Sequence, residues 1–258
     1  MRKLLLIVFA LGASSAFAQS AFDGTWHVNP QSGAIKAHDK YSLQNGMWRC
    51  DTCAPKTNVK ADGNEQKLSG SPYADAISVR ALDDRTVETK STKAGKPTGS
   101  TKLMASEDGR TLTTEWSFTA DNGQHGNGKY NSERVGAVPA SGNKVSGTWQ
   151  PRKIEDASES VSTVTYKATA DGLSMSDPLG DSYDAKFDGK DYPYKGDPGT
   201  TSVSLKKIDA NTIEETDKRN GKVIAVSRMT VGADGKTMKV AVDDKLHNAT
   251  ANWTAEKQ

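Results

Sequence analysis

Apolar and polar residues alternate along most of this chain, a pattern typical of β-strands that are buried on one face. The clearest strand is predicted for residues 111–118. Its apolar-side positions are Leu112, Thr114, Trp116 and Phe118, and Thr113, Glu115 and Ser117 occupy the other side. Further strands are predicted for residues 161–167, 183–187, 201–206, 223–231 and 237–242. No stretch sustains the 3.6-residue period of a helix, so the chain is predicted to be all β.

Turn signals separate the strands at short intervals. They are Asn45-Gly46, Asp62-Gly63, Ala94-Gly95, Asp108-Gly109, Asp188-Gly189, Asn220-Gly221 and Asp234-Gly235. Asn-Gly and Asp-Gly pairs provide the positive φ angles that tight hairpins require. Closely spaced hairpins favour a meander that forms a sandwich or an up-and-down barrel. Residues 121–129 are also rich in glycine. Because no helical pattern follows them, they are predicted to be a mobile hairpin loop rather than a phosphate-binding loop.

The chain contains an internal repeat. Gly24-Thr25-Trp26 returns as Gly147-Thr148-Trp149, and Thr86-Val87-Glu88 returns as Thr212-Ile213-Glu214. A period of this length indicates a duplicated domain. We predict a first β unit at residues 19–135, a linker at 136–142 and a second β unit at 143–258.

Residues 1–18 have the pattern of an export signal. Arg2 and Lys3 are followed by an apolar run over residues 4–11, and Ala16-Phe17-Ala18 supplies the small residues of a cleavage site. A plain hydrophobic strand is the alternative. The run is about half of the roughly 20 residues that a bilayer crossing needs. We therefore expect a protein exported to the periplasm or the extracellular space, with no integral membrane segment after signal removal. No cysteine follows the cleavage site, so a lipid anchor is not expected.

The charge balance restricts the partners. The chain carries a net charge of +2, and removal of Arg2 and Lys3 with the signal brings it close to zero. Nucleic acids and anionic membranes bind proteins through a clustered positive excess. Neither is therefore expected as a partner.

The segment Phe22-Asp23-Gly24-Thr25-Trp26 resembles the opening strand of the calycin superfamily, which contains the lipocalins and the fatty-acid-binding proteins. Residues 187–193 and 234–237 are similar to those of bacterial secreted lipocalin-like domains. The resemblance implies two tandem antiparallel lipocalin-like barrels. One larger sheet or sandwich formed by both repeats is the alternative.

In calycins, the tryptophan of a Gly-x-Trp motif closes the bottom of the barrel beneath an arginine at the end of the last strand. The resemblance implies that Arg134 covers Trp26, and that Lys257 takes the place of this arginine over Trp149. The implied barrel-closing residues are Gly24, Trp26, Arg134, Gly147, Trp149 and Lys257. The interior would hold a small apolar or amphipathic molecule, or be filled by its own side chains.

Cys50 and Cys53 are the two cysteines of the chain. In an oxidising exported compartment such a pair is expected to form a disulfide. A thiol-exchange role is the alternative, although redox pairs place the first cysteine at a helix N-terminus and no helical pattern follows here. A zinc site with His27 and His38 is a weaker alternative, because the spacing fits no known ligand pattern.

The remaining polar side chains show no spacing that predicts catalysis. The histidines (His27, His38, His125 and His247) are expected at the surface or at strand edges, and Asp83-Asp84 and Asp243-Asp244 in solvated turns. No catalytic residue, metal or cofactor is predicted. The candidate ligand-binding residues are Tyr73, Trp116, Tyr183 and Tyr192. Tyr194 offers a similar aromatic face with a polar tip. Packing of these aromatic side chains in the core or at the rim is the alternative.

We therefore predict a non-catalytic protein that binds a small apolar or amphipathic molecule in a β-barrel. The alternative is a structural or interaction protein of the cell envelope with filled barrels and a protein partner. A thiol-redox protein that uses Cys50 and Cys53 is the third hypothesis.

Overall fold

The computed structural model describes residues 20–258, so the predicted export signal lies outside the described residues. The strands are β1 Gly24–Lys36, β2 Asp39–Gln44, β3 Met47–Cys50, β4 Thr57–Lys60, β5 Asp62–Lys67, β6 Ala76–Ala81, β7 Thr86–Lys93, β8 Lys96–Ala105, β9 Thr111–Thr119, β10 His125–Val135, β11 Gly147–Ala157, β12 Thr163–Ala168, β13 Gly172–Ser176, β14 Ser182–Lys186, β15 Tyr192–Lys195, β16 Ser202–Lys207, β17 Thr212–Arg219, β18 Lys222–Val231, β19 Thr237–Asp244 and β20 Ala249–Lys257. A short helix, α1, spans Glu159–Ser162.

The strands form two antiparallel barrels of ten strands each, which confirms the all-β prediction and excludes a single shared sheet. The first barrel contains β2 to β11, in the order β4-β3-β2-β11-β10-β9-β8-β7-β6-β5, and is nearly closed. The second barrel is closed and contains β1 followed by β12 to β20. The two barrels therefore exchange their opening strands: β1 belongs to the second barrel and β11 to the first.

The strand pairings define the exchange. Residues 136–146 join β10 directly to β11, and the two strands pair from Gly128–Ala157 to Val135–Thr148. β11 therefore completes the first barrel. The second barrel is then closed by β1, which pairs with β12 on one side and with β20 on the other. The chain passes between the barrels at residues 37–38 and 158–162.

The first barrel is nearly closed because β4 and β5 do not form a ladder. The side chain of Gln66 on β5 spans the gap. Its amide group donates to the carbonyl of Lys60 at 2.7 Å, and its oxygen accepts from the Lys60 N–H at 2.8 Å. One side chain thus satisfies the backbone donor and acceptor that a ladder would pair.

The two interiors are filled to different degrees. Among the described residues, fifteen buried apolar side chains form the core of the second barrel and nine form the core of the first. The second core includes Trp26, Leu173 and Leu205, each with no exposed surface. Because the barrels have the same number of strands, the interior of the first is less completely filled by buried apolar side chains.

Most sequence-predicted turns are confirmed by positive φ angles, at Asn45, Ala94 and Asn220 among others. Asp62-Gly63, however, is not a hairpin turn. It lies in β5, where a register shift marks a bulge. Residues 159–162, which were expected to include the start of a strand, form α1 instead.

The prediction of a loop over residues 121–129 is wrong for its second half. The turn is confined to residues 120–124, and β10 begins at His125. Gly126 and Gly128 lie inside this strand, facing Phe118 and Trp116 of β9. A Cβ atom at either position would lie 2.5 Å from the neighbouring ring. The glycines are therefore required by the aromatic side chains that lie on them.

Candidate functional site

Each barrel is closed at one end by a tryptophan under a cationic side chain. Arg134 lies over the ring of Trp149, with its guanidinium carbon 4.0 Å from the ring centroid. Lys257 lies over Trp26 at 4.9 Å. The expected pairing of Arg134 with Trp26 is wrong, because the strand exchange gives each tryptophan the cation of the other repeat.

The glycine of each Gly-x-Trp motif makes room for that cation. Gly24 and Gly147 both have positive φ angles, +123° and +144°. A Cβ atom at Gly147 would lie 2.1 Å from a guanidinium nitrogen of Arg134. The guanidinium donates to the carbonyls of Gly109, Lys144 and Ser146. The Lys257 ammonium donates to one carbonyl, that of Ala21 at 3.1 Å. These closures therefore seal one end of each barrel.

Each barrel has a seam in its wall where two neighbouring strands pair over only a few residues at one end. β1 pairs with β12 only over Gly24–His27, whereas its pairing with β20 continues to Lys36. In the first barrel, β11 pairs with β2 only over Gly147–Trp149, whereas its pairing with β10 continues to Ala157. β1 and β11 are in contact, so the two seams face each other.

A cavity of about 520 Å³, the inter-barrel chamber, lies at these seams. Its apolar walls come from both barrels and from α1, and consist of Val28, Ile35 and Trp253 of the second barrel, Trp116, Pro151 and Ile154 of the first, and Val161. Val28 and Trp253 are the register partners of Ala255 and Val240, whose side chains lie in the core of the second barrel. The chamber is therefore continuous with the inward face of the second barrel.

One end of the inter-barrel chamber is polar. It is formed by His38, Asp39, Tyr130, Asp244 and His247. The His247 ring lies 2.7 Å from the Asp244 carboxylate, and this hydrogen bond raises the pKa of His247. Burial raises the pKa of Asp39, an effect opposed by a hydrogen bond from Tyr130 and by the positive charge of the two histidines. The chamber thus combines an apolar body with a charged end.

A second cavity of about 490 Å³, the mouth chamber, lies at the open end of the first barrel. Its wall carries hydroxyl side chains of Thr89, Ser91 and Thr101, together with Trp116 and Phe118. Loops of the second barrel cover it with Leu179, Asp181, Asp197 and Pro198, and Tyr73 lies at its edge. This cavity is more polar than the inter-barrel chamber.

Trp116 borders both chambers. Its ring is stacked with that of Phe118, at 5.9 Å between centroids and 13° between planes. The two rings lie on Gly128 and Gly126. The alternation predicted for β9 is confirmed, since Leu112 and Thr114 are buried on the same face and Trp116 and Phe118 are half-buried.

The four candidate ligand-binding residues do not form one site. Tyr73 and Trp116 both line the mouth chamber. Tyr183 is buried in the second barrel, where its hydroxyl donates to Glu215. Tyr192 packs against the same core and donates to Asp188 at 3.1 Å. The difference arises because the second barrel, which holds Tyr183 and Tyr192, is filled by its own side chains.

Two inward-facing acidic residues, Glu215 and Asp217, were not predicted from the sequence. They follow Ile213 at every second position of β17 and therefore lie on the same face as Ile213. Their register partners, Leu205 and Val203, are core residues. Burial raises the pKa of Glu215, and burial together with the charge of Glu215 raises that of Asp217 to about 8. The period-two spacing from Ile213 was the available signal for their inward direction.

The predicted Cys50–Cys53 disulfide is confirmed. It closes the connection between β3 and β4, and no helix begins beside it within residues 20–258. His27 lies 3.2 Å from Glu159, and the other three histidines are exposed. No group of three or more His, Cys, Asp or Glu side chains in this part of the chain is arranged to hold a metal ion. No helix in residues 20–258 has both the length and the apolar character of a membrane span.

In comparisons with known proteins, no family model matches the chain, and no curated protein matches it significantly. The function is therefore inferred from the geometry of the chambers.

Proposed function

We propose that this chain is an exported, non-catalytic binding protein that holds one small amphipathic molecule in the inter-barrel chamber. The observation that carries the proposal is the chamber itself, about 520 Å³ in volume and lined by apolar side chains of both barrels. Small-molecule sites are concave, mostly apolar and roughly 300–1,000 Å³ in volume, with a few polar groups that fix orientation. The chamber has each of these properties.

The distribution of packing supports the choice of chamber over the barrel interiors. The second barrel is filled by its own core. The mouth chamber has a larger polar share of its lining, including hydroxyl and carboxylate groups, than the inter-barrel chamber, which makes it less suited to an apolar body. The inter-barrel chamber offers Trp116, Trp253 and Ile154 to an apolar body and a charged end to a polar head.

The resemblance to the calycins supports the same proposal. In that family, the barrel is closed at one end by Gly-x-Trp and a cation, and the resemblance implies binding of a small apolar or amphipathic molecule. Both barrels of this chain have such a closure. Export to the periplasm or the extracellular space, which the pattern of residues 1–18 predicts, would place the binding protein where the Cys50–Cys53 disulfide is maintained.

The test is binding of the neutral fluorescent probe N-phenyl-1-naphthylamine to matched alanine-to-phenylalanine variants. Ala249→Phe places a ring in the inter-barrel chamber, and Ala120→Phe places one in the mouth chamber. We expect Ala249→Phe to weaken probe binding by about tenfold or more, because the added ring occupies the apolar space, a loss of about 1.4 kcal/mol. Ala120→Phe is expected to bind the probe as the unchanged protein does.

Circular dichroism and melting temperature establish that both variants are folded. Probe binding that Ala249→Phe leaves unchanged, or that only Ala120→Phe weakens, would contradict the proposed site. A folded, unchanged protein that does not bind the probe would contradict the proposed function.

A further inference from the structure

Asp39 is an inward-facing carboxylate at the polar end of the inter-barrel chamber. It is the first residue of β2 and pairs in register with Trp149, whose ring is buried in the first barrel. The Tyr130 hydroxyl donates a long hydrogen bond of 3.4 Å to its carboxylate. Both residues line the chamber, so a ligand in the chamber can reach this carboxylate.

The described side chains leave Asp39 without a strong cationic partner. No lysine or arginine among them forms an ion pair with it. Lys40, its neighbour in sequence, pairs with Asp51 at 3.6 Å instead. The protonated form of His247 is held by Asp244 at 2.7 Å. A partly buried carboxylate with one weak hydrogen bond gains most from a charged donor.

Resting on the proposed function, we propose that the amphipathic ligand carries a basic headgroup, such as an alkylammonium group, and that this group binds Asp39. The alkyl part would lie against Val28, Ile35 and Trp253. The Tyr130 hydroxyl, which donates to Asp39, would lie beside the headgroup. Each of these groups lines the same chamber.

An acidic headgroup fits this end poorly. A ligand carboxylate would approach two carboxylates, Asp39 and Asp244. The one histidine whose pKa is raised, His247, already donates to Asp244. Like charges in a partly desolvated site repel strongly. His38, the other basic group of the chamber, is exposed to solvent.

The experiment compares three amphiphiles that have the same chain and different charges. Dodecylammonium, dodecyl maltoside and dodecanoate, each below its critical micelle concentration, displace N-phenyl-1-naphthylamine from the protein at neutral pH. We expect dodecylammonium to bind at least about tenfold more tightly than dodecyl maltoside, because its ammonium group can donate a charge-assisted hydrogen bond to Asp39. Dodecanoate is expected to bind most weakly.

The matched variants are Asp39→Asn and Asp121→Asn. Asp39→Asn keeps the shape and an acceptor for Tyr130 but removes the charge, so the preference for dodecylammonium should fall to within about threefold. Asp121 lies in the mouth chamber, and Asp121→Asn is expected to keep the preference. Asp39→Ser also removes the charge, with a smaller polar side chain, and is expected to lose the preference in the same way, so it provides a second test should Asp39→Asn unfold.

Equal affinity for the three amphiphiles, or a preference for dodecanoate, would overturn the inference and leave the proposed function intact. A preference that persists in folded Asp39→Asn would overturn it as well. Failure of the probe and of all three amphiphiles to bind would contradict the proposed function itself.

Discussion

Neutralising Asp217 is predicted to stabilise the protein at neutral and mildly alkaline pH. This side chain faces the interior of the second barrel, and within residues 20–258 its Oδ1 atom is buried without a hydrogen-bond partner. The carboxyl of Glu215 lies on the same face of β17. Among the described residues, no positive charge lowers the raised pKa of either carboxyl. Ionisation of Asp217 in the folded state is therefore unfavourable.

The magnitude follows from the pKa. Burial and the neighbouring acidic groups raise the pKa of Asp217 from 3.8 to about 8. Between these values the folded state binds a proton that the unfolded state has lost, so the free energy of unfolding decreases as pH rises. One pKa unit corresponds to about 1.4 kcal/mol, which gives an upper limit on the order of 4 kcal/mol at neutral pH. The stability contribution is complete below about pH 4 and lost by about pH 8.

The assay is urea or thermal unfolding from about pH 5 to about pH 8. Asp217→Asn should raise the free energy of unfolding by about 1–3 kcal/mol at neutral pH, less than the limit because a buried amide also needs hydrogen-bond partners. It should also flatten the pH dependence. The exposed Asp156→Asn provides the control. A variant that is less stable than the unchanged protein at every pH, or that keeps its pH slope, would refute the reasoning.

Three further changes test other parts of the structure by thermal unfolding and probe binding. Arg134→Ala should destabilise the protein by about 2–4 kcal/mol and Lys257→Ala by less, because the arginine donates to three carbonyls and the lysine to one; equal losses would contradict this difference. Gly128→Val should cost about 1–3 kcal/mol and weaken probe binding, because the side chain displaces the indole of Trp116; unchanged binding would show that the ring is not part of the site. Cys50→Ser should cost about 2 kcal/mol, the loop entropy of so short a bridge, and leave probe binding unchanged; unchanged stability would contradict a structural role for the disulfide.

The fold class could be predicted because its signals are local. Alternation along β9 and positive φ angles at turn residues such as Asn45 and Asn220 depend on a few neighbouring positions. The strand exchange could not be predicted in this way. Gly24-Thr25-Trp26 and Gly147-Thr148-Trp149 are identical, so the motif does not specify which barrel each strand completes. Connection length does not specify it either, because residues 37–38 between β1 and β2 form a shorter connection than residues 136–146 between β10 and β11.

The candidate site was predicted only in part, for the same reason. Tyr73 and Trp116 were identified from residue type, and the structure places both beside one cavity. Asp39 and Tyr130 were missed because they meet only where the seams of two exchanged barrels face each other. Such a chamber depends on tertiary arrangement, and the separate strand patterns contain no trace of it.

The inter-barrel chamber is proposed to hold a small molecule. Native mass spectrometry of the protein purified from the cells that make it, before and after organic extraction, tests this directly. We expect one extractable amphipathic amine bound per chain, and less of it bound to Ala249→Phe than to Ala120→Phe. A bare chain mass in every folded preparation, or an equal load on both variants, would contradict it.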